Sequence, residues 1–205
     1  MYLTIQLFFP ILAWVGIAVG SAIAGFIVTS IFSKKINKLG ILGMKLSGKT
    51  TMLYKLQGIE KIPQSTNVEK YERFEFKIKD DKKIIIEKGK DIGGTKNFMQ
   101  EYRDIISNNE IIFFFFDVNK YLIELDYRRD CNSRLDFIYP SISGKKVVIV
   151  ATHADKQNLK NQQIREKIED YMKEKKYSSL FTTNFHILNL LDTNEFKVFI
   201  EKIFS

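Results

Sequence analysis

The sequence predicts an α/β domain, a mostly parallel six-stranded sheet with one antiparallel edge strand and helices on both faces, preceded by a single transmembrane helix. Three observations predict it. From Leu39 to Phe204, short apolar runs alternate with segments of helical period, the pattern of strands crossed over by helices. One neighbouring pair of runs, Phe74 to Ile78 and Ile84 to Ile86, is joined instead by a tight Asp80-Asp81 turn, which makes an antiparallel hairpin. Residues 1–33 contain no Asp, Glu, Lys or Arg.

Leu3 to Phe32 is apolar apart from Thr4, Gln6, Ser21, Thr29, Ser30 and small residues, enough for a membrane span through residues 3–32. Trp14 to Lys34 covers about 20 positions, or about 30 Å of helix, which matches a bilayer core. Trp14 then sits at one interface, Lys34 and Lys35 at the other, and Pro10 marks the helix start or a kink. Because Lys34, Lys35 and Lys38 follow the span, the N-terminus is expected outside and the remainder in the cytoplasm. A cleaved leader is the rival reading, since Ala22-Ile23-Ala24 resembles a cleavage site, but a basic leader is lacking. Gly16 and Gly20 offer a G-x-x-x-G face for a homodimer, although small residues are common in spanning helices.

The organisation that follows is a membrane anchor over 1–33, a basic juxtamembrane linker over 34–38 and a folded domain over 39–205. Lys and Arg total 32 against 24 Asp and Glu, for a formal charge of +8. The lysines are scattered among acids rather than gathered with aromatics, so an acidic membrane surface is the expected partner and nucleic acid is not. Cys131 stands alone, which excludes a disulfide framework and a cysteine metal site and suits a reducing cytosol.

In chain order, Leu39, Ile41 and Leu42 form a short strand, and Met52, Leu53 and Leu56 mark a helix that Gly58 ends. Ile59 to Lys70, with Pro63, reads as an exposed loop ahead of the hairpin. Phe98, Tyr102, Ile105 and Ile106 mark the next helix. Ile111 to Phe116 is a continuous apolar run suited to a buried central strand, its phenylalanines core rather than a recognition platform. Residues 120–145 read as one helix broken before Pro140, and Val147 to Ala151 as another buried strand. Ile164, Ile168, Tyr171 and Met172 give a helix, and Phe185 to Leu188 a last strand in which His186 is structural. Phe196, Phe199, Ile200 and Ile203 give a closing helix capped by Thr193.

Between the first strand and helix lies Gly43-Met44-Lys45-Leu46-Ser47-Gly48-Lys49-Thr50, a full match to G-x-x-x-x-G-K-[ST] in the strand, loop, helix context that a phosphate-binding loop requires. Gly43 and Gly48 let main-chain NH groups turn inward around a polyphosphate, and the helix beginning near Lys49 adds the positive end of its dipole. Lys49 is expected to bridge the β and γ phosphates as a point charge, and the Thr50 hydroxyl to ligate Mg²⁺. The nucleotide-binding set from this loop is Gly43, Lys45, Ser47, Gly48, Lys49, Thr50 and Thr51.

Two further elements follow in order. Asp91-Ile92-Gly93-Gly94 fits D-x-x-G after the hairpin, where Asp91 can hold Mg²⁺ through water and the Gly94 NH can sense a terminal phosphate. Thr152-His153-Ala154-Asp155 follows a buried strand at the place where GTPases carry [NT]-K-x-D. The Asp155 carboxylate can accept from both N1-H and the 2-amino group of guanine, a pattern adenine does not offer. His153 can stack on the base. A plain loop histidine, and Asp155 as a helix cap, remain the alternatives.

From Leu39 to Phe204 the chain resembles a small GTPase of the P-loop superfamily, nearest in pattern to the Arf group. Ile62-Pro63 followed by Asn67-Val68-Glu69 is similar to that group's switch I, I-P-T-x-G-x-N-V-E, and Asp91 to Gly94 to its D-V-G-G switch II. A hydrophobic anchor before such a domain is similar to the beta subunit of the signal-recognition-particle receptor, and anchored bacterial small GTPases are an equally open comparison. The resemblance implies a P-loop GTPase fold that binds GTP or GDP, with Thr50, Thr66 and Asp91 around Mg²⁺. It implies hydrolysis served by Lys49, Thr66, Gly94 and Thr95, and a cytosolic protein partner at the switches.

The departures from the group have consequences. Three residues, Gln64-Ser65-Thr66, separate Pro63 from Asn67 where the Arf pattern has four. Thr66 is then the candidate switch threonine, with Ser65 the alternative. Thr95 stands where Arf proteins place the glutamine that orients the attacking water, and its hydroxyl is too short to act in that way. Hydrolysis is therefore expected to be slow unless a partner contributes a residue, which can be worth ~10³ to 10⁵ in rate. The usual S-A-K element is replaced by Asn189-Leu190-Leu191, where a main-chain NH at Leu190 can meet the guanine carbonyl.

The expected activity is that of a membrane-anchored GTP switch recruiting a cytosolic partner. A receptor or scaffold subunit that holds GTP nearly permanently is the alternative favoured by Thr95. A membrane-bound P-loop ATPase is the alternative that the Thr152 to Asp155 element opposes.

Overall fold

The structure, a computed structural model, describes residues 36–61, 68–92, 99–156 and 158–204. The anchor expected over residues 1–33, its Gly16 and Gly20 pair, and Lys34 and Lys35 lie outside the described residues. Among the described residues no helix is long and apolar enough to cross a membrane.

The chain runs β1 (Ile36–Asn37), β2 (Leu39–Gly43), α1 (Lys49–Gln57), β3 (Val68–Tyr71), β4 (Phe74–Lys77), β5 (Lys83–Ile86), β6 (Gly89–Ile92) and α2 (Met99–Asn108). It continues through β7 (Ile111–Asp117), α3 (Val118–Ile123), α4 (Leu125–Ile138), β8 (Lys146–Thr152), α5 (Asn161–Met172), α6 (Ser179–Thr183), β9 (Phe185–Ile187) and α7 (Thr193–Phe204). Six strands form one sheet in the order β3-β6-β2-β7-β8-β9. Only β3 runs antiparallel to its neighbour, so the expected architecture of a parallel sheet with one antiparallel edge stands.

The hairpin is longer than its apolar residues suggested. β4 and β5 pair antiparallel and belong with β1 to a separate three-stranded sheet, while β3 and β6 carry the same hairpin into the large sheet. The antiparallel edge is thus Val68–Tyr71, residues that were expected to lie largely in the loop from Ile59 to Lys70. Val-Glu-Lys-Tyr has too few apolar positions to declare a strand, and charge on an edge strand is what protects it from pairing further.

β7 is the centre. All seven of its residues are buried, and successive side chains point to opposite faces. Phe113 and Phe115 join one core with Met52, Leu53 and Phe199, whereas Phe114 and Phe116 join the other with Tyr121, Leu135 and Ile164. The phenylalanine block is therefore core for both layers, each ring contributing roughly 1.5–3 kcal/mol of burial. Cys131 is a buried free thiol in the second layer, and burial raises its pKa.

Three local readings are corrected. Residues 120–145 are not one helix: α3 and α4 are separated by Glu124, whose backbone is extended at φ −94° and ψ 108°. Asp117 starts α3 by accepting from the Lys120 amide, a cap the apolar pattern conceals. The closing helix is capped by Asp192 rather than Thr193, since the Asp192 carboxylate accepts from the amides of Asn194 and Glu195. α6 was not anticipated; at five residues it is too short to show a period.

His186 lies in β9 with its ring edge-on to Phe199 at 5.1 Å, so its structural assignment stands. Burial, followed by Lys202 and Arg165, pushes its pKa down to about 4. Between the unfolded value near ~6.5 and that folded value, the unfolded chain binds more protons. Stability is expected to fall as pH drops from about 6.5 toward 4, and His186→Gln is expected to flatten the dependence of thermal midpoint on pH over that window. Asp192→Ala is expected to cost about 1 kcal/mol in urea denaturation, with Thr193→Ala near neutral.

Candidate functional site

β2 delivers the chain to the loop at Gly43, whose φ is 136°. A Cβ there would stand 2.1 Å from the Phe115 carbonyl oxygen, and that same carbonyl accepts from the Met44 amide at 2.8 Å. Only glycine permits so close an approach of two backbones. The loop then turns through Leu46, at φ 58°, and Gly48, at φ 86°, into α1. No side chain caps the N-terminus of α1 and no acidic residue lies in its first turn. That helix end accordingly keeps its positive field for an anion.

The loop is held from inside. Ser47 is buried and its Oγ donates to the Met44 carbonyl at 2.7 Å. Lys49 is also buried, and its Nζ donates to that carbonyl at 2.8 Å. The ammonium is folded across the loop rather than extended into solvent. Lys45 and Leu46 are exposed at the tip, while Thr50 and Thr51 are half-buried at the start of α1. Leu190 is buried against Gly48, its Cδ1 standing 2.4 Å from where a Cβ would be.

A second element braces the loop from β8. Thr152 Oγ1 lies 3.0 Å from the Ser47 carbonyl oxygen, 3.2 Å from that of Phe116 and 2.9 Å from His153 Nδ1. A hydroxyl has one proton to give and two lone pairs. The carbonyls accept only, so the proton goes to them and His153 Nδ1 must donate to Thr152. The buried Asp117 carboxylate lies 3.6 Å from the same nitrogen. Burial lowers the His153 pKa, opposed by Asp117, and Lys156 lowers it further. The ring is thus a neutral tautomer with its proton on Nδ1. His153 itself holds a left-handed backbone, φ 61°, which aims the following turn, Ala154–Lys156, outward with Asp155 exposed.

The geometry brings together Gly43, Ser47, Gly48, Lys49, Thr50, Thr152, His153 and Leu190. Asp91 lies on β6 beside Ile41 of β2, the strand that leads into the loop. Thr66, Gly94 and Thr95 lie outside the described residues. Around Leu190 the amides of Asn189 and Leu191 are taken by the Glu195 and Asn189 side chains. Among the described residues no cluster of three or more His, Cys, Asp or Glu could hold a metal unaided. Mg²⁺ in a phosphate loop draws on a hydroxyl, phosphate oxygens and water, so Thr50 at the helix start fits that ion's demand. Asp117 was missed in the sequence; its signal was an acid ending an apolar run just before a helix.

A model of the ADP-ribosylation factor family matches residues 25–197. No curated protein matches the chain.

Thr152→Val keeps the shape of the side chain but leaves the Ser47 carbonyl without its hydroxyl. The expected cost is about 1–3 kcal/mol in urea denaturation. An unchanged midpoint would show that this contact holds nothing.

Proposed function

The chain belongs to the ADP-ribosylation factor family, and from that membership we propose a membrane-anchored small GTPase that binds GTP with Mg²⁺ and recruits a cytosolic partner according to the nucleotide it holds. As a member of the family it is an Arf-like small GTPase. The observation that carries the nucleotide reading is the loop from Gly43 to Gly48, closed by Lys49 and Ser47 on Met44 and tied through Thr152 to the strand that bears His153 and Asp155. Phosphate recognition and base recognition are thereby built on one hydrogen-bonded frame.

In this reading the inward amides of the loop and the Lys49 ammonium bind the phosphates, and the Thr50 hydroxyl ligates the cation with Asp91 and Thr66. Asp155 reads the guanine edge, His153 stacks beside it and the Leu190 amide meets the carbonyl. The uncharged residues 1–33 followed by Lys34, Lys35 and Lys38 support a fixed single-pass anchor with the domain in the cytoplasm. A spanning helix cannot be withdrawn from a bilayer. What changes with nucleotide is then partner binding, not location. Thr95 supports slow intrinsic hydrolysis, and with it the second reading, a receptor or scaffold subunit that keeps its GTP.

The test uses the full-length protein in mild detergent with a fluorescent GTP analogue. Binding is expected to need Mg²⁺, to resist a large excess of ATP and to weaken roughly 100-fold in Lys49→Ala, the loss of one charge-assisted contact. Equal displacement by ATP would remove the guanine reading while leaving the phosphate loop standing.

A further inference from the structure

A buried cation stands behind the loop, linked to it through Tyr102. Arg134 of α4 is 1% exposed, and its Nη1 donates to the Tyr102 hydroxyl of α2 at 3.0 Å. Its Nη2 donates to Asp130, 3.1 Å away. The Tyr102 hydroxyl in turn donates to the Gly43 carbonyl at 3.0 Å, and the Gly43 amide lies 3.4 Å from the same oxygen. A phenol has one proton and two lone pairs. Here all three are used: the proton on the Gly43 carbonyl, one lone pair for the guanidinium, the other for the Gly43 amide.

This is an expensive way to fill a core. The Arg134 Nε finds no acceptor among the described residues, and a buried ion pair is commonly no more stabilising than apolar residues of similar volume. Tyr102 is fully buried, and burial raises its pKa, so the hydroxyl keeps the proton it gives to Gly43. Arg134 and Tyr102 are shut off from solvent, while the Asp130 side chain is 21% exposed. The arrangement's link to the loop is Gly43, the residue at which β2 ends and the loop begins.

We infer that Tyr102 and Arg134 are positioning residues for the phosphate loop: a guanidinium-locked phenol that clamps both main-chain groups of Gly43 and so sets how tightly the loop holds its nucleotide. The inference rests on the nucleotide reading of the loop given above. It adds a site of control that lies outside the loop, on α2 and α4.

Two variants of the full-length protein separate positioning from mere packing. Tyr102→Phe keeps the ring but removes the clamp and leaves the Arg134 Nη1 without its acceptor, with only the Asp130 contact remaining, so the thermal midpoint is expected to fall. A triple variant, Tyr102→Phe with Arg134→Met and Asp130→Ala, removes both charges of the ion pair as well, and the midpoint is expected to recover. Release of a fluorescent guanine nucleotide is nevertheless expected to stay at least about tenfold faster than wild type in both. In nucleotide-free protein, amide exchange at residues 43–48 is expected to quicken about as much, while β7 is unchanged. Release that returns to the wild-type rate together with the midpoint, or loop exchange that does not move, would overturn the inference. A wild-type protein that binds no guanine nucleotide would instead sink the reading of the site, and the exchange measurement would still decide the clamp.

Discussion

Main-chain hydrogen bonding at the end of β2 is the constraint on which the site depends. A loop that must turn amides toward an anion cannot spend those amides on its own structure, so its carbonyls and its entry point have to be held by side chains and by groups from elsewhere. That is the observed division. The Met44 amide goes to Phe115 of β7, the Met44 carbonyl to Lys49 and Ser47, the Ser47 carbonyl to Thr152 of β8, and both groups of Gly43 to Tyr102 of α2. Elements distant in sequence converge on one short turn, and the sheet order that places β2 between β6 and β7 makes this possible.

The same requirement explains what could be read in advance. A glycine pair at fixed spacing followed by Lys-Thr is legible because each residue type answers a local demand, for a positive φ, a charge or a hydroxyl. The Phe113 to Phe116 block is legible because only a strand covered on both faces tolerates it. Tyr102, Arg134 and Asp117 are not legible. Tyr102 looks like one more apolar residue on a helical face, Arg134 like one more solvated charge, and Asp117 like a strand end. Their meaning arises only when α2, α4 and β7 are brought to the loop. Asp192 was hidden for a simpler reason: Asp and Thr both cap helices well, and adjacent candidates are separated only by geometry.

The basic excess also changes meaning in three dimensions. Lys82 and Lys146 donate to the carbonyls of Phe204 and Ile203 at the end of α7, and Lys145 to the Ser107 carbonyl at the end of α2. Helix C-termini carry unsatisfied carbonyls and a negative dipole end. Part of the positive charge that composition alone assigns to an external partner therefore serves helix ends inside the domain. Such lysines remain partly exposed and can still add to a surface potential, but they cannot be counted as free for one.

Around the Thr152 to Asp155 element, the departures from the GTPase pattern form a set rather than independent losses. Where the GTPase pattern calls for a lysine, the chain has His153, neutral because burial lowers its pKa, so a permanent positive charge is missing at this position. A neutral ring needs its orientation fixed by hydrogen bonds, whereas a lysine stem needs only room. Thr152 and Asp117 supply that fixing from the ring's Nδ1 side. Thr152 thus serves two clients, the loop through Ser47 and the ring through Nδ1, and neither can shift without the other. In a chain that lacks both the lysine and the S-A-K element, the Thr152–His153 junction is fixed by hydrogen bonding, and Asp155 stands exposed in the turn that follows.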